Sequence, residues 1–310
     1  MTTVDQAVPD RFVEILDRLG RKSVEDYYNP YRMFHWADRL PEDAYWMTPE
    51  LISAYDTDVA DEIGEEGMKR LSRWESVNFY SLNVHGIREL LIEVVKRIHM
   101  PGFQVPSEFF HHFIGEENEH MWFFAEFCRR YGDGKIYSTP SLKTEAGDDP
   151  EVENFLVFAR ILLFEEIVDH YNSRMAEDDC LHETIRQVNR IHHHDESRHI
   201  AFGRELVALL YGRFSDRLDE DRLRGLESYL KRYIVFSLQS LYNPHVYRDA
   251  GLANPLDVRS RILADPRRRA VERKVIRKPL AFFVKSGIFA DTELPGAGPA
   301  LSSTTGRNER

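Results

Sequence analysis

The sequence predicts an all-α protein whose core is a bundle of four long helices, and three observations indicate this fold class. Apolar residues recur at three- and four-residue steps over long stretches, which is the period of amphipathic helices. Proline and glycine fall mainly between these stretches, where helices begin and end. The chain has 310 residues, 42% of them hydrophobic, and can therefore bury a sizeable core.

The four long helices are expected between residues 61 and 211. Their predicted bounds are 61–100, 106–131, 151–176 and 181–211. Pro101 and Gly102 stop the first helix, and Gly132 ends the second. The polar stretch 135–150, between the second and third helices, is predicted to be a long crossover loop.

Segments on both sides of the bundle complete the predicted organisation. Residues 1–60 are rich in aromatic residues and contain prolines, so we expect them to wrap over the bundle with some helix. Further helices are expected at 221–242, 255–263 and 267–285. Residues 61–290 would then form the functional domain. Pro, Gly, Ser and Thr dominate the end of the chain, which predicts a disordered tail over 291–310.

Composition and charge exclude several classes of protein. No apolar run of about 18 residues occurs and the first residues alternate charged with apolar positions, so we expect a cytoplasmic protein without a membrane span or secretory signal. A net charge of −11 argues against nucleic-acid binding, which needs clustered cations. Cys128 and Cys180 are too few for a disulfide framework or a thiolate zinc site and are predicted to be buried free thiols.

Two Glu-x-x-His motifs carry the functional signal. The second long helix contains Glu117 and His120, and the fourth contains Glu196 and His199. Residues three apart on a helix lie on the same side, so each glutamate and its histidine can reach one ion. His192 lies four residues before Glu196, which extends the second motif to a stripe of three ligand-type side chains.

Each motif follows a helix with carboxylates on a mostly apolar face. Glu89 precedes Glu117 and Glu165 precedes Glu196 at spacings that bring antiparallel neighbours to similar depth. One Glu from each of two helices and one Glu-x-x-His from each of the others form the four-helix carboxylate-bridged dimetal site. Two positions stay open in the sequence. His85 competes with Glu89 for the first-helix ligand, and Glu166 is the fallback for Glu165.

The predicted ligands can be buried without a large energetic cost only if cations bind to them. As a rough estimate, burying a charged side chain on an apolar stripe costs several kcal/mol unless a cation compensates its charge. Carboxylate and imidazole ligands suit two iron ions, with manganese as the alternative. The predicted ligand set is Glu89, Glu117, His120, Glu165, His192, Glu196 and His199.

With these residues the chain resembles the ferritin-like non-haem diiron proteins, and most of all the arylamine N-oxygenases of the AurF type. The resemblance spans roughly residues 65–245 and rests on the two motifs and on His192, which in that family is a seventh ligand. The Glu89–Glu117 interval is shorter than in the family, and counting from Asn78 places His85 at the family's first glutamate. The first-helix ligand is therefore either shifted by a turn or changed in type.

The resemblance implies a diiron monooxygenase that uses O2 to oxidise an amine of an aromatic or carrier-bound small molecule. Hydroxylation at carbon is the alternative that the same site allows. A ferritin-like ferroxidase is less favoured because such chains are much shorter. A radical-generating subunit would need a tyrosine one turn after the first motif, where this chain has Phe124.

Partners follow from the predicted chemistry. Two electrons must come from outside, so a reductase or ferredoxin is expected, and long bundles of this kind commonly form homodimers. A basic cluster near the C-terminus indicates a solvated helix surface, with docking of a ferredoxin or an acyl carrier protein as the alternative. The cluster comprises Arg267, Arg268, Arg269, Arg273, Lys274, Arg277 and Lys278.

Overall fold

A computed structural model of the chain describes residues 8–143 and 149–295. The protein is all-α, and these residues include no β-strand. The helices are α1 (Asp10–Glu25), α2 (Pro30–Met33), α3 (Asp58–Val95), α4 (Ser107–Tyr131), α5 (Pro150–Glu177), α6 (Glu183–Gly212), α7 (Glu220–Ser240), α8 (Pro244–Asp249), α9 (Pro255–Ala264), α10 (Pro266–Val275) and α11 (Arg277–Lys285).

Helices α3 to α6 form the predicted bundle, and their ends lie within a few residues of the predicted ones. Local sequence explains where two of them begin. The Asp149 carboxylate accepts a hydrogen bond from the Glu151 N–H at the start of α5, over 3.0 Å. The His182 Nδ1 atom accepts from the Thr184 N–H at the start of α6, over 3.1 Å. These caps satisfy backbone donors that the first helical turn leaves without partners.

Aromatic contacts between neighbouring helices fix the bundle's register. The Tyr80 ring of α3 lies 4.5 Å from Phe127 and 5.2 Å from Phe124 of α4, between ring centroids. The ring centroids of Phe110 of α4 and Phe158 of α5 lie 5.7 Å apart, and the two rings are stacked. Each of these rings is buried, so the core of the bundle is largely aromatic.

The N-terminal residues pack against one side of the bundle. Helix α1 contacts α4 and α6. Further along, the Trp46 N–H donates a hydrogen bond to the Ser72 Oγ atom of α3 over 3.0 Å. The Tyr131 hydroxyl donates to the Ala37 carbonyl oxygen over 2.6 Å. These contacts attach the segment before residue 58 to both α3 and α4.

The C-terminal helices differ from the sequence-based expectation in one place. The single helix predicted over 267–285 is two helices, α10 and α11, which are separated at Ile276. Pro279 explains the break, because its ring has no N–H and clashes with the carbonyl group of Val275, four residues earlier. Residues 291–295 of the predicted tail have no regular secondary structure, and 296–310 lie outside the described residues.

The structure can be compared with the predictions for the two cysteines, the basic cluster and a membrane span. Cys128 is buried as predicted, but Cys180 is exposed, because it lies in the turn between α5 and α6. Arg268 is not part of a basic surface, since it is buried and donates to the Tyr242 hydroxyl over 2.6 Å. Within the described ranges, no helix combines the length and the apolar character needed to cross a bilayer.

Candidate metal centre

Two helices bring four predicted ligands together in the middle of the bundle. Glu117 and His120 come from α4, and Glu196 and His199 come from α6. One donor atom from each of the four residues lies within 4.8 Å of all the others, and all four side chains are buried. The three-residue spacing explains this convergence, because it places each glutamate and histidine on the same face of their helix.

Each side chain of this cluster has one buried atom that lacks a hydrogen-bond partner within the described part of the chain. These atoms are Glu117 Oε1, His120 Nδ1, Glu196 Oε2 and His199 Nδ1. The closest pair, Glu117 Oε1 and His199 Nδ1, are 2.7 Å apart but do not have hydrogen-bond geometry. Buried polar atoms are ordinarily paired, so four unpartnered atoms in one cluster of four side chains fit a bound cation. Their carboxylate and imidazole chemistry suits iron or manganese.

The outer nitrogen of each motif histidine is held by a carboxylate. His120 Nε2 lies 3.0 Å from Asp195 Oδ2, and His199 Nε2 lies 2.7 Å from Glu116 Oε2. Ionised carboxylates only accept hydrogen bonds, so both Nε2 atoms carry the hydrogen. Each Nδ1 atom therefore faces the cluster and can bind a metal through its lone pair.

The carboxylates also determine how readily these histidines hold a proton when no metal is bound. Burial by itself lowers the pKa of His120, but the charge of Glu117 and the hydrogen bond to Asp195 outweigh it and raise the pKa to about 10. The pKa of His199 is likewise raised well above its usual value, against the effect of burial, by Glu196 and Glu116. A metal cation can replace this positive charge, and its binding would release protons.

Glu165 brings a third helix, α5, to the site. Its side chain is buried, and its Oε1 atom has no hydrogen-bond partner among the described residues. Burial, together with the charges of Glu196 and Glu117, raises its pKa well above the usual value. Its neighbour Glu166 instead receives two hydrogen bonds from Arg204, over 2.9 and 2.8 Å. The geometry favours Glu165 over Glu166 as a metal ligand.

His192 lies next to the four-residue cluster. Its Nε2 atom is 3.0 Å from Glu196 Oε1, and its ring centroid is 4.6 Å from that of His120. On its other side, Nδ1 is 2.5 Å from the Asn172 side-chain nitrogen. The i−4 position predicted from the sequence thus places the imidazole of His192 against Glu196.

The structure does not bring Glu89 to the cluster, which corrects the expectation that this residue faces inward. Its side chain is 65% exposed and forms an ion pair with Arg88, over 2.9 Å. Glu89 lies nine residues after the inward-facing Tyr80, and nine residues correspond to about 180° around a helix. His85, the competing ligand, has its Nε2 atom 2.9 Å from the Tyr137 carbonyl oxygen and also lies outside the cluster.

A network around Asp195 supports the site and was missed from the sequence. The Tyr28 hydroxyl donates to Asp195 Oδ2 over 2.8 Å. Arg198 donates to Asp195 Oδ1 over 2.6 Å and to Glu116 Oε1 over 2.8 Å. The position of Asp195, directly before Glu196, was a usable signal. Tyr28 gave none, because it is 167 residues away in the chain.

A cavity of about 750 Å³ lies between α3, α5, α7 and residues 139–143. Its apolar lining includes Phe79, Leu82, Leu90, Val157, Ile161, Phe164, Ile167, Val168, Tyr171 and Phe236. Charged residues also line it, namely Arg88, Glu89, Glu93, Lys143, Glu153 and Arg160. Ile161 and Val168 lie about one helical turn before and after Glu165, so the wall reaches the α5 side of the metal centre. A cavity of this size and composition can bind a small apolar molecule.

The chain is similar to solved structures of one kind of protein. No match is found among curated proteins. Among solved structures, the chain is similar to two variants of an R2-like ligand-binding oxidase, one with an anaerobically and one with an aerobically reconstituted Mn/Fe cofactor. The first has a TM-score of 0.48 and 14% identity over 93% of this chain and 96% of that chain. The second has a TM-score of 0.48 and 13% identity over 93% and 95%.

The family comparison covers almost the whole chain. A family model described as P-aminobenzoate N-oxygenase AurF matches residues 10–287, which include every residue of the buried cluster. This confirms the resemblance seen in the two Glu-x-x-His motifs. The chain belongs to the P-aminobenzoate N-oxygenase AurF family.

Proposed function

We propose that this protein is an O2-activating non-haem diiron oxygenase that oxidises the nitrogen of an amine. The observation that carries the proposal is the buried group of Glu117, His120, Glu196 and His199. Their donor atoms converge, and each side chain has one buried atom without a hydrogen-bond partner. Membership of the AurF family supports oxidation at nitrogen in particular. The substrate is an aromatic or carrier-bound small molecule.

Six residues would hold the metals. Glu117, His120, Glu196 and His199 supply the central donors, and Glu165 and His192 lie beside them. Two iron ions, or manganese in their place, would supply the O2 chemistry when bound. Asp195 and Glu116 orient the imidazoles of His120 and His199. The aromatic core around the cluster keeps bulk water away from these donors.

The cavity between α3, α5 and α7 is the proposed substrate site. Its aromatic and aliphatic wall would bind an aromatic ring by excluding water from both surfaces. Phe164 packs closely on α3 at Gly86, where an added Cβ atom would lie 2.3 Å from the Phe164 ring. This contact closes one wall of the cavity and helps to hold a substrate in a defined position.

The proposed reaction needs partners. Incorporation of one oxygen atom from O2 into an amine consumes two further electrons, so we propose a reductase or ferredoxin as the donor. An acyl carrier protein would deliver a carrier-bound substrate. We further propose that the protein acts as a homodimer. Size measurement in solution and electron-transfer assays with purified donors test these assignments.

The central experiment is O2 consumption by the reduced, iron-loaded protein with and without an arylamine. We expect O2 consumption to depend on the amine and the product to carry oxygen on nitrogen, by mass spectrometry with ¹⁸O2. Oxygen on a ring carbon would instead identify a C-hydroxylase. If O2 consumption does not depend on the amine and added ferrous iron is oxidised, the protein is a ferroxidase and the proposal is contradicted.

The position one turn after the first motif lacks the tyrosine that a radical-generating subunit would carry there. Phe124 occupies the position one turn after His120, and its ring lies 4.8 Å from that of His192, between centroids. Phenylalanine has no hydroxyl group to lose a proton and an electron. This position therefore favours the oxygenase.

A further inference from the structure

Asn83 of α3 has an amide oxygen with no assigned role. The side chain is fully buried. Its Nδ2 atom donates to the Phe79 carbonyl oxygen over 2.8 Å, one turn earlier in the helix. Its Oδ1 atom has no hydrogen-bond partner within residues 8–143 and 149–295. Buried amide oxygens are ordinarily paired, so this one calls for a partner that the protein itself does not supply.

Contacts between helices place Asn83 at the depth of the metal centre. The Tyr80 hydroxyl of α3 accepts a hydrogen bond from the Asn189 side chain of α6 over 2.7 Å. Asn83 lies three residues after Tyr80, and His192 lies three residues after Asn189. If α3 and α6 run in the same direction, each of these steps is one turn toward the same end of the bundle.

The direction of the helices follows from α4, which packs against both. On α3, Val77 lies beside Gly132 at the end of α4, whereas Tyr80 meets Phe124 about two turns earlier on α4. On α6, His192 meets His120, whereas His199 meets Phe113, about two turns earlier on α4. Both helices are therefore antiparallel to α4 and parallel to each other. Asn83 is at the level of His192.

Other polar side chains of α3 are held elsewhere. His85 places its Nε2 atom 2.9 Å from the Tyr137 carbonyl oxygen, at the wall of the cavity. Glu75 accepts a hydrogen bond from the Ser53 N–H over 2.8 Å. Glu89 is exposed, and Glu93 is paired with Arg97 over 2.6 Å. The next inward position of α3 after Asn83 is apolar, at Ile87. A four-helix dimetal centre draws one donor from each helix beside the two motif helices, and α5 supplies Glu165.

We propose that Asn83 Oδ1 is the metal ligand from α3. The inference rests on the proposed dimetal centre and completes its fourth side. An amide oxygen is a ligand for hard cations, as carboxylate oxygens are. It is neutral, however, so the centre would contain three carboxylates instead of four. The ion near Asn83 would bind more weakly than its partner, and the pair would carry one more unit of positive charge.

The experiment compares metal binding by Asn83→Leu and Asn83→Asp with that of the unmodified protein. Full-length protein is titrated with ferrous iron without O2, and bound metal is counted by elemental analysis and by Mössbauer spectra. We expect Asn83→Leu to weaken one of two iron equivalents by at least about tenfold. Asn83→Asp adds a carboxylate and should tighten the same equivalent and alter one of two Mössbauer signals. Glu89→Gln, a surface change, should leave both equivalents unchanged.

Two outcomes separate this inference from the proposed function. If the unmodified protein binds fewer than two iron equivalents, the dimetal centre itself is wrong. If it binds two equivalents and both Asn83 variants bind them with unchanged affinity and spectra, only the Asn83 assignment fails. Circular dichroism of the metal-free variants checks that each has folded. Should Asn83→Leu unfold, the tighter binding expected of Asn83→Asp still decides the question.

Discussion

His120 Nε2 and Asp195 Oδ2 are 3.0 Å apart, and this contact directs the opposite ring nitrogen of His120 into the buried cluster. The same Asp195 oxygen accepts a hydrogen bond from Tyr28, and its other oxygen accepts from Arg198. One carboxylate thus connects the N-terminal segment, α4 and α6. Its hydrogen bonds keep it ionised, and the pKa of Asp195 is lowered in spite of burial.

Replacement of this carboxylate should weaken metal binding without removing a ligand. Asp195→Asn loses the negative charge that holds His120 in one tautomer, so we expect iron affinity to fall by about 10- to 100-fold. Anaerobic iron titration measures the effect. Glu119→Gln, at a half-buried position of α4, is a control that should change the affinity little. Unchanged affinity in Asp195→Asn would show that His120 needs no such support.

The two motifs should each be necessary for a complete centre. We expect Glu196→Ala and His120→Ala to lose at least one metal equivalent per chain, because each removes a central donor. Elemental analysis after reconstitution gives the stoichiometry. His194→Ala removes an exposed histidine of the same helix and should retain both equivalents. Two metals per chain in both motif variants would contradict the ligand assignment.

The close packing of Gly86 and Phe164 predicts a stability effect. A Cβ atom at position 86 would lie 2.3 Å from the Phe164 ring, so Gly86→Ala should destabilise the fold by about 1–3 kcal/mol through overpacking. Gly115→Ala is the matched control, since no atom lies within 4 Å of its added Cβ. Alanine there should stabilise α4 by up to about 1 kcal/mol. Urea unfolding of both variants measures the difference.

A second substitution tests whether Phe164 is the cause. Phe164→Leu combined with Gly86→Ala should be less destabilised than the two single changes added together, since the smaller side chain leaves room for the new methyl group. Additive effects would mean that the backbone at position 86, and not the ring, resists the substitution.

Glu75 predicts a pH dependence of stability away from the metal centre. Burial raises its pKa to about 7, although hydrogen bonds from Ser53 act in the opposite direction. The native protein therefore keeps this proton to higher pH than the unfolded chain, whose glutamate has a pKa of 4.5. The stabilisation is complete below about pH 4.5 and is lost as the pH rises to about 7.

Substitution by an amide should remove that dependence. Glu75→Gln cannot ionise, so its free energy of unfolding should decline less than that of the unmodified protein between about pH 4.5 and 7, by up to about 3 kcal/mol. Urea unfolding of the metal-free proteins at several pH values provides the test. Parallel curves for the two proteins would show that folding does not raise the pKa of Glu75.

The cavity beside α5 predicts an effect on substrate affinity. The larger side chain of Leu82→Trp would occupy part of the cavity. We therefore expect KM for an arylamine to rise about tenfold while the iron content stays at two equivalents. Leu256→Trp is the control, because Leu256 is 72% exposed and lies in α9. An unchanged KM in Leu82→Trp would place the substrate elsewhere.

Local sequence patterns predicted the bundle and the four residues that converge inside it. The repeat of apolar residues identified all four long helices, and the spacing within Glu-x-x-His identified Glu117, His120, Glu196 and His199 as neighbours. These inferences succeed because helix geometry alone relates residues three or four positions apart. Glu165 was preferred over Glu166 because of its spacing from Glu196, and in the structure Glu166 is the residue that receives hydrogen bonds from Arg204.

Features that depend on how helices rotate against each other could not be predicted. Every residue of α3 from Trp74 to Ser81 is buried, so the side of the helix that faces the bundle interior cannot be read from apolar spacing. Glu89 was preferred for its distance along the chain, which does not determine the side of the helix on which it lies. Tyr28 was missed because only the folded chain brings it to Asp195.

The hydrogen bond from Tyr28 to Asp195 makes the metal centre sensitive to events at the start of the chain. A protein trimmed of its first thirty residues could keep all its ligands and its bundle, yet it would lose one of the groups that orient them. Preparations that differ only in proteolytic damage to this segment would then differ in iron content.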